Sequence, residues 1–240
     1  MIPLRDDVPP RRPAVVVKVL LLANAVGFIL QLLFAPEFTA RFALVPADAI
    51  AAAEGDADLL AGLFPLLSSQ FLHGGLLHLG SNLLFLWIFA DNVEGEWGPR
   101  RFLALYLLCG VIAAGTHILL VGADSTPLIG ASGAIAGTLG AYFVFFPHAR
   151  ILTLVPIGVI PLFFEIPALV FLLLWFGSQV LLGLLEAGGN VAVWAHAGGF
   201  AAGAALAGLT RRPPGRHGPR PRYSSPGAPA RSVRFERHSR

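Results

Sequence analysis

The chain has 240 residues, 55% of them hydrophobic and 13% charged, with a net charge of +3 and a mean hydropathy of +0.71. A soluble globule carries about 25% charged residues, so the composition excludes an ordinary soluble domain and points to an all-α, polytopic membrane protein with one domain. The single cysteine, Cys109, excludes a disulfide framework and any CxxC metal or redox pair.

Residues 1–13 are expected to be a short cytoplasmic segment. Crossing a bilayer takes roughly 20 apolar residues, and six runs qualify: 15–33, 71–90, 102–121, 128–146, 161–185 and 191–209. All six are expected to be helices, because every backbone polar group in lipid needs an internal partner. They define a six-transmembrane-helix bundle over residues 14–210. The first run is too long for a signal-peptide core and no small-residue cleavage site follows it, so a retained anchor is expected. A long loop at 35–70 carries Glu37, Asp48, Glu54, Asp56 and Asp58. Loops of this length have a job or a structure of their own. The segment 151–160 is too short to span and contains Pro156; it is expected at the interface, with a seventh, re-entrant segment as the alternative. Residues 211–240, rich in Pro, Gly, Ser and Arg, are expected to form a disordered, basic cytoplasmic tail. That tail either stays solvated or rests against anionic lipid.

The cations set the orientation. Of 17 Lys and Arg residues, four lie at or before Lys18 and nine at or after Arg211. Arg100 and Arg101 fall between the second and third runs, Arg150 between the fourth and fifth, and only Arg41 on the opposite side. This is a positive-inside pattern with both termini in the cytoplasm. A multi-pass cell-membrane protein with lipid contacts and no nucleic-acid partner is the expectation.

Against this apolar background a few polar residues stand out: His78 and Asn82 in the second run, Ser132 in the fourth and His196 in the sixth. Even-numbered spans run in one direction, from outside to inside. With 1.5 Å of rise per residue, Ser132 lies about 6 Å below the start of its run and His196 about 7 Å below. If the Gly74-Gly75 pair delays the second helix to Leu76, His78 lies about 3 Å down and Asn82 about 9 Å down. Polar groups within spans face the bundle interior or a wet cavity and mark function. His78 and Asn82 are four apart and share a helix face. His73 precedes the Gly-Gly break and is expected in a loop. Gly133, Gly137 and Ala141 on the fourth run, and Ala195, Gly199, Gly203 and Ala207 on the sixth, form stripes of small residues that allow close packing in lipid.

A serine hydroxyl becomes a nucleophile when a base takes its proton, and His196 is such a base. An oxyanion needs donors aimed at it: the Ser132 N–H at a helix start, His78 and the Asn82 amide. A metal or ion site of His78, Asn82 and His196 is the open alternative. The stretch around Ser132 is not the GxSxG nucleophile elbow, and no HExxH occurs.

The combination resembles the rhomboid family of intramembrane serine proteases. The second run matches its HxxxxHxxxN pattern as His73, His78 and Asn82. The fourth matches its GxSG motif as Gly130, Ser132 and Gly133, and the sixth its AHxxG pattern as Ala195, His196 and Gly199. The resemblance covers about residues 68–209. It implies a rhomboid-like six-span core and a Ser132/His196 dyad with no third carboxylate. It implies oxyanion stabilisation by the Ser132 N–H, His78 and Asn82, with His73 in support, and no metal or cofactor. The implied partners are transmembrane protein substrates, cleaved near the outer membrane face and admitted sideways between the second and fifth helices. Two departures stand out. The first outside loop lacks the Trp-Arg pair of many members and has Pro65 near that place. Ala136 stands where some members carry a Tyr that stacks on the catalytic histidine.

Overall fold

A computed structural model describes residues 1–34, 36–158, 160–185 and 192–210. The expected tail at 211–240, Glu186 and the Val191 start of the sixth run lie outside the described residues.

The chain begins with strand β1 (Ile2–Asp6), followed by helix α1 (Val15–Phe34). Nothing in the sequence around Val15 can cap α1, yet its first N–H groups are satisfied from a distance. The buried carboxylate of Glu94 accepts from the Val15, Val16 and Val17 amides at 3.0, 3.1 and 2.9 Å. A carboxylate at a helix N-terminus is favoured by both hydrogen bonding and the helix dipole.

The long loop folds. It contains helices α2 (Glu37–Phe42), α3 (Pro46–Glu54), α4 (Leu59–Leu63) and α5 (Pro65–Ser68), then a single 3-10 turn over Ser69–Phe71. Asp58 caps α4 through the Ala61 amide at 2.7 Å. Pro65 is buried in the first turn of α5, where its missing N–H costs nothing. The Ser68 hydroxyl donates to the Phe42 carbonyl at 2.9 Å, and Leu44 bridges to Leu128. The loop is therefore anchored by local caps and by these cross-links.

Helices α6 (Leu76–Trp97), α7 (Pro99–Val121), α8 (Ser132–Phe145), α9 (Ala168–Leu184) and α10 (Val193–Thr210) complete a mostly helical bundle. Three helices, α1, α6 and α7, are long and apolar enough to cross a membrane; α8 and α9 are shorter apolar helices. With 14 residues, α8 extends about 21 Å, less than the roughly 30 Å hydrocarbon core. The fourth run was expected to be helical from residue 128. Instead its first residues are extended, because Leu128 pairs with Leu44 and Gly130 turns at φ 129. The helix thus begins at Ser132 itself.

A second departure is larger. The segment expected at the interface and the first residues of the fifth run form an antiparallel hairpin, β2 (Arg150–Ile157) and β3 (Ile160–Pro167). The register pairs Ile157 with Ile160, and Gly158 turns at φ 61. Prolines at 156, 161 and 167 deny a helix its backbone bonds, and Pro167 ends the strand just before α9. β1 adds to the other edge of β2, giving the sheet order β1-β2-β3. The expectation that the fifth run is helical from residue 161 is therefore corrected: the fifth helix begins at Ala168.

The heart of the bundle is α8. Every residue from Gly133 to Tyr142 is buried, between α6, α7 and α10. The starts of α6, α8 and α10 meet at His78, Ser132 and His196. Near the far ends, Tyr142 and Asn92 share the Asp6 carboxylate, and Trp97 donates to Thr210 at 2.9 Å. The three helices therefore run side by side in one direction.

Candidate active site

Ser132 opens α8 and is half-buried. Its Oγ lies 2.7 Å from Nε2 of His196, four residues into α10. What lets two backbones deliver such short side chains to one point is the glycine interface. A Cβ on Gly199 would overlap the Gly133 carbonyl oxygen, and one on Gly203 the Gly137 carbonyl oxygen. A Cβ on Gly137 would meet the Cys109 sulfur at 2.7 Å. Only glycine permits that approach.

Beside the hydroxyl, Gly130 and His78 face each other across a tight gap that forms a cradle. Gly130 has φ 129, and a Cβ built there would stand 2.9 Å from Nε2 of His78 and 3.5 Å from Oγ of Ser132. A side chain there would crowd both the His78 ring and the Ser132 hydroxyl. The Gly130 amide donates to the Ser69 carbonyl at 2.9 Å, which holds the turn open. The Gly74 amide donates to Nδ1 of His78 at 3.2 Å. A neutral imidazole that accepts at Nδ1 carries its hydrogen on Nε2, so His78 presents a donor to the cradle. Asn82 is buried one turn further along α6, and among the described residues its Nδ2 has no hydrogen-bond acceptor. A buried amide donor left open in the resting protein is the kind of exception that calls for a functional account.

His73 lies before α6, with its ring packed edge-on against His78 at 5.3 Å. Its backbone is clamped by Gln31 of α1. The His73 amide donates to Gln31 Oε1 at 2.7 Å, and Gln31 Nε2 donates to the His73 carbonyl at 3.3 Å. His73 reaches the site through His78. A small cavity beside Ser132 is lined by Ser69, Gln70, Gly110, Ala113, Gly130 and Ser132.

Two groups on α9 escaped the sequence reading. The Trp175 ring lies against the His196 ring, centroids 5.9 Å apart and planes tilted by 34°. This supplies from α9 the stacking surface that Ala136 lacks. Gln179, one turn later, places Oε1 2.8 Å from Nδ1 of His196. Gln179 stands beside Ser178 as an amide in a mostly apolar run, which marks it as unusual but does not name its partner. Both ring nitrogens of His196 are thus engaged, and Nδ1 of His78 is occupied. Among the described residues no group of three or more His, Cys, Asp or Glu is placed to hold a metal ion. These contacts favour proton-transfer chemistry over the ion-site alternative.

The family model described as Rhomboid domain matches residues 61–213, more than half of the chain. The mitochondrial rhomboid protein 1 of Saccharomyces cerevisiae is 33% identical over 108 residues, 41% of this chain and 30% of that protein. The human presenilin-associated rhomboid-like protein, also mitochondrial, is 36% identical over 91 residues, 36% of this chain and 24% of that protein. The rhomboid protease GluP of Bacillus subtilis is 41% identical over 76 residues, 32% of this chain and 14% of that protein. These matches span less than a third of each relative's length.

Proposed function

The chain belongs to the rhomboid family, and we propose that it is an intramembrane serine endopeptidase cleaving single-span membrane proteins within or next to their transmembrane segment. The observation that carries this reading is the 2.7 Å contact between Ser132 Oγ and His196 Nε2. His196 takes the hydroxyl proton as Oγ attacks the peptide carbonyl carbon. The carbonyl oxygen becomes an oxyanion held by the Ser132 N–H, His78 Nε2–H and the Asn82 amide. Collapse breaks the C–N bond, and His196 returns the proton to the leaving amine. The Ser132 ester is then hydrolysed when His196 takes a proton from water and the resulting hydroxide adds to the acyl carbon. Ser132 regains its hydrogen as the acid leaves. No cofactor, metal or nucleic acid enters this scheme.

In this reading α1, α6, α7, α8, α9 and α10 are six membrane spans. The protein lies in the cell membrane with both termini cytoplasmic and with lipid around its exposed leucines. The charge distribution supports that orientation. Substrates are transmembrane proteins, admitted between α6 and α9. The departures at Pro65 and Ala136 remove no group that the chemistry uses.

The test is fluorophosphonate labelling of the purified protein in lipid, together with cleavage of a single-span reporter. Wild type should label and cleave, while Ser132→Ala and His196→Ala should do neither. Labelling retained by Ser132→Ala would move the nucleophile elsewhere.

A further inference from the structure

We propose that Gln179 is the positioning residue of His196 and that Ser178 in turn orients Gln179. Helix α9 then completes the proton-transfer chain with a neutral amide. The inference rests on the Ser132/His196 reading above and names its third member.

The argument follows the hydrogens. The Ser178 hydroxyl donates to the Trp175 carbonyl at 2.6 Å. That uses its one hydrogen, so its oxygen is left to accept. The Gln179 Nε2 donates to this oxygen at 3.3 Å. An amide has one donating and one accepting end; with the NH2 turned to Ser178, the carbonyl Oε1 faces Nδ1 of His196 at 2.8 Å. A carbonyl only accepts, so Nδ1 carries the hydrogen. Nε2 then offers its lone pair to the Ser132 hydroxyl at 2.7 Å, which is the tautomer a general base needs.

The amide turned by half a rotation would donate to Nδ1. The hydrogen would then sit on Nε2 and the base would be lost. In serine proteases a carboxylate excludes that error, and the wrong tautomer costs about 10⁴ in turnover. Here the exclusion falls to a serine on the preceding residue. Trp175 supports the same geometry from the ring face.

The experiment uses the full chain in lipid and a fluorophosphonate probe, with the maximal labelling rate separated from the half-saturating concentration. Gln179→Leu should lower the maximal rate by about ten- to hundredfold, part of what a held base contributes, with half-saturation within about twofold. Gln179→Glu, which has no donating end, should label at least about tenfold faster than Gln179→Leu. Ser178→Ala should slow labelling severalfold when Gln179 is retained, but not when it is combined with Gln179→Glu. In ¹⁵N-histidine spectra the His196 signal should show Nδ1 protonated. A wild-type rate in Gln179→Leu, or an equal Ser178→Ala loss in both backgrounds, would overturn the proposal. If Gln179→Leu fails to fold, the comparison of Ser178→Ala in the two backgrounds decides alone. Labelling that survives Ser132→Ala would instead sink the underlying protease reading.

Discussion

The carbonyl oxygen of Gly133 sits against the α-carbon of Gly199 so closely that position 199 has no room for a side chain. Gly203 stands in the same relation to Gly137 one turn on. The obstacle in each case is backbone, which cannot turn aside as a side chain would. Forcing atoms into a packed interface costs about 1–3 kcal/mol. Gly199→Ala and Gly203→Ala should therefore lower stability by about that much, and Gly199→Ala should also slow labelling by moving α10 away from Ser132. Gly208, on the same helix, has no described residue close to where a side chain would stand. Gly208→Ala should leave stability unchanged or raise it by up to about 1 kcal/mol. Unfolding in mixed micelles reads all three; equal losses at Gly203 and Gly208 would contradict a packing role.

The cradle between Gly130 and His78 leads to a second expectation. Gly130→Ala meets strain twice, from φ 129 and from the ring 2.9 Å away. A methyl there would also crowd His78 Nε2, the donor that the proposed mechanism aims at the oxyanion. Labelling and cleavage should fall by about 10²-fold or more, as when a donor of such a site is lost. Asn82→Ala should lose about 10²–10³ in turnover while its thermal midpoint holds or rises. The reason is that its buried Nδ2 has no partner to lose among the described residues. A large drop in stability with unchanged turnover would make Asn82 a structural residue.

Glu94 reaches across the bundle to the start of α1, and its charge is spread over three amides. Hydrogen bonds to a charged group are worth about 1.5–3 kcal/mol each before losses elsewhere. Glu94→Ala should destabilise the protein by about 2–3 kcal/mol. It should also release the first turn of α1 to hydrogen exchange at Val15–Val17. Glu94→Gln keeps an accepting oxygen and should fall between the two. Exchange unchanged at those amides in Glu94→Ala would show that α1 is capped by other means.

How much of this was legible beforehand follows from the kind of signal each residue gives. Ser132, His196, His78 and Asn82 are polar groups in apolar runs, so cost alone made them conspicuous. The hairpin was not legible. Residues 150–167 lack the polar alternation of a half-wet strand, since Ile157, Ile160, Phe163 and Phe164 are all exposed apolar residues. Residues 151–160 read as an interfacial stretch too short to span, and residues 161–167 read as the start of the fifth span. The strand at Ile2–Asp6 is short and its partner lies far along the chain. Gln179 and Glu94 act across the bundle, on His196 and α1 respectively. No local spacing reports such a contact; it appears only when the helices are set beside one another.

The last expectation concerns Asp6 and acidity. Its carboxylate accepts from Asn92 at 2.7 Å and from the Tyr142 hydroxyl at 2.5 Å. Burial is the main reason its acidity shifts from an ordinary 3.8 up to about 7; the hydrogen bond from Tyr142 opposes the shift, while Asp91 and Asp7 add to it. With β1 docked, Asp6 holds its proton up to about pH 7; with β1 released, it loses it near 3.8. Between these values the docked state binds the extra proton, so raising the pH favours release. The contribution of Asp6 to docking is whole below about pH 3.8 and gone above about pH 7. Hydrogen exchange at Ile2–Asp6, corrected for the intrinsic rate, should therefore be better protected at low pH than at high pH across this window. Asp6→Asn should flatten the dependence and keep the strand protected at the alkaline end. Protection that rises with pH in the wild type would show that Asp6 is docked as the anion.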